Sequence, residues 1–105
     1  MTIIEPHIHM LSRTTDDYTA MYQAGIRCVV EPSFWQGSNR RHAGTFFDYF
    51  RLSLEFEHTR ALRYGVDHWS CISVNPKEAE DLALARETLA GIGPYLEHPR
   101  CVGVG

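Results

Sequence analysis

The sequence predicts an α/β fold on a parallel sheet, in the order βαβαβαβ. Three observations carry this. Short runs rich in β-branched residues alternate with longer stretches whose apolar residues recur at helical spacing. A glycine stands where each long helix should stop. The connections are short, and strands alternating with helices imply right-handed crossovers between parallel neighbours. A (β/α)8 barrel takes about 250 residues, so 105 residues with four strands make either a small α/β domain or the first half of such a barrel.

The first strand reads Ile3-Ile4-Glu5-Pro6-His7-Ile8-His9. After a short loop, Thr14 or Thr15 is expected to cap a helix whose first turn carries Asp16 and Asp17, the charge a helix N-terminus prefers. Tyr18, Met21 and Tyr22 give it an apolar spacing, and Gly25 ends it. Ile26–Glu31 is the second strand, closed by Pro32, and a polar loop runs from Ser33 to Gly44. Thr45 should cap a long helix reaching Tyr64, stopped by Gly65, with Phe46, Phe47, Phe50 and Leu54 as its core face, continued by Ala61 and Leu62.

The third strand spans His68–Val74. Asn75-Pro76-Lys77-Glu78 reads as a helix start, with Asn as cap, Pro at the first position and Glu at the third. That helix runs to Ala90 and stops at Gly91; Pro94–Glu97 adds a short turn, and Cys101–Gly105 is the fourth strand. Ile3, Val29, Cys71 and Val104 are expected inside a parallel sheet of order 1-2-3-4. A parallel strand needs both faces covered, and no helix follows the fourth, so Val102 and Val104 should face solvent and the open edges invite self-association.

Composition bounds the function. Hydrophobic residues are 44% and charged residues 22% of the chain, which is globular rather than disordered. Ten Lys+Arg against thirteen Asp+Glu leave no basic field, which argues against general nucleic-acid binding. No apolar run approaches the roughly 18 residues of a membrane span, and the N-terminus carries no signal-peptide pattern, so a cytoplasmic location is the default. Cys28, Cys71 and Cys101 are odd in number and widely spaced, as buried free thiols are.

The chemistry concentrates in the first strand. His7 and His9 are two apart, so both imidazoles should share a face with Ile3 and Glu5, leaving Ile4, Pro6 and Ile8 for the helices. They stand at the C-terminal end of the strand, where α/β folds build their sites. Two imidazoles there can hold one divalent metal. Six histidines in this length give some His-x-His pair about one time in three by chance, so position is what marks this one. Glu31 either points into the site or pairs with Arg27, the favoured reading. Ser33, Trp35 and Arg40, in the loop after the second strand, are substrate contacts or ordinary loop residues. His42, His58, His68 and His98 have no ligand spacing and read as surface or helix-end residues.

Glu5-Pro6-His7-Ile8-His9 resembles the opening Asp-x-His-x-His motif of the amidohydrolase superfamily, and in particular of TatD-like metal-dependent hydrolases. Val102-Gly103-Val104-Gly105 resembles the start of that family's fourth-strand Gly-Glu-x-Gly-Leu motif, and Ile72-Ser73-Val74-Asn75-Pro76 its third-strand Gly-x-His-Pro segment. The resemblance implies a single partial domain over residues 1–105, the N-terminal half of a (β/α)8 barrel. It further implies ester or phosphodiester hydrolysis by a metal-bound hydroxide, on a small-molecule or phosphodiester substrate. His7 and His9 would be ligands of a divalent metal, zinc or manganese, with Glu5, in place of the usual Asp, bracing the site from behind. Asn75 stands where the family writes His. The family's later ligands, a Glu, two His and a catalytic Asp, all follow the fourth strand, so these residues alone are expected to be inactive. The rivals are a phosphoesterase of the polymerase-and-histidinol-phosphatase type and a non-enzymatic α/β domain that binds a partner or dimerises.

Overall fold

A computed structural model of the chain describes residues 1–34 and 38–105. The β-branched runs become four strands: β1 Ile3–Glu5, β2 Ile26–Glu31, β3 Asp67–Cys71 and β4 Cys101–Gly103. They form one sheet in the order β1-β2-β3-β4, each neighbouring pair parallel, as the alternation predicts. Helix α1 is Thr15–Gln23. Helix α2, Ala43–Arg51, passes through a π-helical turn, Leu52–Glu57, into α3, His58–Leu62. A 3-10 turn, Glu78–Glu80, precedes α4, Leu82–Ala90, and α5 is Gly93–Leu96. No helix among the described residues is long and apolar enough to cross a membrane.

The glycine stops hold. Gly25 and Gly65 have φ of 97° and 77°, the left-handed region that costs an L-residue about 1–2 kcal/mol. At Gly65 a Cβ would also lie 2.6 Å from Tyr22 Cε2. The helix starts differ from expectation. Thr14 flanks α1, but its side chain makes no capping bond. The second helix begins at Ala43, and the Thr45 hydroxyl donates to the His42 carbonyl from within the first turn (2.6 Å). Asn75 starts only the 3-10 turn; α4 is capped by Asp81, whose Oδ1 accepts from the Leu84 N–H at 3.1 Å.

The first strand stops at Glu5, four residues short of His9. Pro6 has no N–H to give the ladder, and the His7 N–H goes to Glu5 Oε1 at 3.1 Å. Ile8 N–H rejoins β2 at the Val30 carbonyl (3.1 Å). Strand alternation therefore does not run through the bend. Ile4 is 62% exposed, whereas Ile8 packs beside Met10, Tyr18 and Val29.

Register fixes the two faces. Glu5, Val29 and His68 are aligned across β1–β3, and Glu31, Ser70 and Cys101 across β2–β4. This face meets the helices. Phe46, Phe50, Leu54, Ile72 and Leu84 form one core cluster, and Met10, Tyr18, Val29, Ala61 and Val66 the other. Leu62, expected in the core, is exposed, because its neighbour Ala61 takes the inward position. On the opposite face lie Ile4, Cys28, Val30, Trp69, Cys71 and Val102, none of them buried. Cys28, Cys71 and Cys101 are free and half-buried. Of the four residues expected inside the sheet, Val29 alone is fully buried. Ile3, on an edge strand, and Cys71 are half-buried, and Val104 is 73% exposed.

Candidate metal centre

The bend at Pro6-His7 brings the two imidazoles together just beyond β1. Their ring centroids are 5.2 Å apart and nearly perpendicular. His7 is exposed; His9 is half-buried and stacks on Phe34 at 4.3 Å. Both open into a cleft of about 550 Å³ shared with Ser12, Arg13, Asp17 and Phe34. Burial lowers the His9 pKa below the usual 6.5, helped by His7 and Arg13 and opposed by Glu31 and a bond to the Pro32 backbone. The ring is thus neutral near pH 7, as a metal ligand must be. Among the described residues its Nδ1 is buried without a hydrogen-bond partner.

That orphaned nitrogen beside a second imidazole suits a divalent cation. The fit is partial, because among the described residues no group of three or more His, Cys, Asp or Glu converges closely enough to hold a metal. Glu5 meets the pair through the His7 backbone N–H, which its Oε1 accepts at 3.1 Å.

The other sequence candidates are built into the scaffold. Ser33 Oγ donates to the Cys71 carbonyl (3.2 Å) and accepts from the Ser73 N–H (2.8 Å), tying the ends of β2 and β3. Arg40 Nη1 reaches both Glu78 oxygens at 2.8 Å, and its Nη2 donates to the Phe34 carbonyl at 3.1 Å. Arg40 therefore shapes the cleft wall through Phe34. Trp35 lies outside the described residues.

Glu31 does not pair with Arg27. Four residues along a strand separate their Cα atoms by roughly 13 Å, and Arg27 instead donates to the Tyr22 carbonyl (2.6 Å) and lies over that ring. Glu31 meets His68, its Oε2 2.8 Å from Nε2, both side chains fully buried. His68 is therefore a core residue and not a surface one. His58 is half-buried at the start of α3. Sequence spacing misses this pair because 37 residues separate its members; the signal is strand register, which sets Val29 against His68.

The geometry can be set beside known proteins. No protein-family model matches the chain, and no curated protein matches it. Among solved structures, a TatD-like protein from Archaeoglobus fulgidus is similar, with a TM-score of 0.66 and 23% identity, covering 70% of this chain and 31% of that one. At that identity the likeness establishes the fold: a TatD-like, partial (β/α) barrel unit. The chain spans about a third of the length of that neighbour.

Proposed function

We propose that this chain supplies the first metal ligands of a TatD-like hydrolase of the amidohydrolase superfamily, with His7 and His9 holding a divalent metal, zinc or manganese. The observation that carries this reading is the His7–His9 ring pair at the C-terminal end of β1, with His9 Nδ1 buried and unpartnered. The fold of the similar TatD-like structure adds support. When bound, the metal would supply Lewis-acid activation of water and of the scissile group. Burial keeps His9 deprotonated, Phe34 holds its ring plane, and Arg13 offers a cation to an ester or phosphodiester in the same cleft.

Two imidazoles fill half of a tetrahedral zinc's positions. These 105 residues are therefore expected to bind metal and not to turn substrate over, as the N-terminal part of the full ligand set. Calorimetric titration with Zn(II) and Mn(II) should show binding that His7→Ala and His9→Ala each weaken by at least tenfold, with ester and phosphodiester assays silent. Binding unchanged in the double variant would end the ligand assignment. Metal-dependent turnover lost in His7→Ala would show a complete enzyme and end the partial-site reading.

A further inference from the structure

His9 lies beyond β1, and the loop that follows it is gripped by two charged side chains from elsewhere in the fold. Glu31, fully buried at the end of β2, uses both oxygens on other elements. Oε1 accepts from the Leu11 backbone N–H at 3.1 Å, and Oε2 meets His68 Nε2 at 2.8 Å. Leu11 is two residues past His9. Arg60, on α3, donates to the Met10 carbonyl at 2.7 Å and to the Arg13 carbonyl at 3.0 Å. Arg60 is itself fixed by Glu57 through Nε at 2.9 Å and Nη2 at 2.6 Å, and Glu57 also accepts from the Tyr18 hydroxyl.

Burying a carboxylate is costly unless each oxygen is satisfied. An aliphatic residue would fill the same core space without that cost, but it could not hold an N–H. Glu31 bonds the Leu11 N–H, two residues past His9, and Arg60 holds the Met10 and Arg13 carbonyls on either side of it. We propose that Glu31 is a positioning residue: through Leu11, and together with Arg60, it fixes the place of the His9 ring beside His7 and so sets the affinity of the pair for a divalent cation. This rests on the metal reading of the two histidines. Outer groups that orient ligands commonly change metal affinity by about 10–100-fold.

The test compares the unsubstituted chain with Glu31→Gln, Glu31→Ala and Arg60→Lys. Co(II) binding is followed by visible absorption, and the Leu11 amide by hydrogen exchange. Glu31→Gln keeps an acceptor for Leu11 and should bind cobalt within about threefold of the parent. Glu31→Ala should lose at least tenfold in cobalt affinity while its circular dichroism stays native, with Leu11 exchanging at least tenfold faster. Arg60→Lys keeps the charge beside Glu57 but not the fork that spans two carbonyls; it should also lose cobalt affinity, and it decides the matter if Glu31→Ala does not fold. Cobalt bound equally by all folded variants, with Leu11 still protected, overturns the proposal. No cobalt binding by the unsubstituted chain overturns the metal reading itself, and this proposal with it. The two failures are thereby told apart.

Discussion

His58 illustrates how a single side chain ties stability to pH. It lies where the helix layer meets β3, and burial, with Arg100 adding, lowers its pKa below the usual 6.5; the His68 backbone and Asp67 pull the other way. The unfolded chain then binds more protons than the folded one between the lowered value and 6.5, so stability rises with pH across that window. The contribution is complete above about 6.5 and is lost as pH falls toward the folded value. His9, lowered chiefly by burial too, acts in the same direction. The urea midpoint should therefore drop between pH 7.5 and 5.5 in metal-free buffer, and His58→Gln should flatten that drop. An unchanged slope in the variant would remove His58 from the account. At this scale the sequence is informative where chemistry is local. His7 and His9 are legible because two residues on one short segment must lie close together. Glu31 and His68 are not, because their meeting depends on the register between β2 and β3.

Elements are legible where a residue has one conformational role. Gly25 and Gly65 end their helices in left-handed backbone, as their positions suggest. Helix starts are harder, since several residue types can cap and neighbours compete. Asn75-Pro76-Lys77-Glu78 carries the fuller start signal, but Arg40 draws the buried Glu78 side chain into an ion pair at 2.8 Å. The chain then turns extended at Asp81, with φ −83° and ψ 92°, and the regular helix begins only after it. Asn75 is left holding the Lys77 N–H at 3.1 Å in the short turn. Asp81→Ala should therefore cost about 1 kcal/mol, the usual loss for a cap, and fray α4. Asn75→Ala should leave α4 helicity unchanged. Urea denaturation with helix-resolved amide exchange measures both, and the reverse ranking would put the cap at Asn75.

At the scale of the whole molecule, strand order and sense are legible because short crossovers allow little else, but the partner of the open face is not. The helices cover the face that carries Val29, Glu31, His68 and Ser70. Ile4, Val102 and Val104 are 62%, 52% and 73% exposed, and β1 and β4 each pair on one side among the described residues. Apolar area removed from water is worth about 25 cal/mol per Å², and unpaired strand edges template pairing with another chain. Both effects favour covering this face with a second copy. The chain is therefore expected to run larger than its 12.0 kDa in size-exclusion chromatography with light scattering, increasingly so at higher concentration. Val102→Lys with Ile4→Lys should shift it toward monomer by placing charge on the open face. Leu82→Lys, an equally exposed apolar position on α4 at 64%, should leave the distribution alone. If the parent is monomeric at high concentration, or if Leu82→Lys dissociates it as well as the sheet-face pair does, the open face is not the surface that associates.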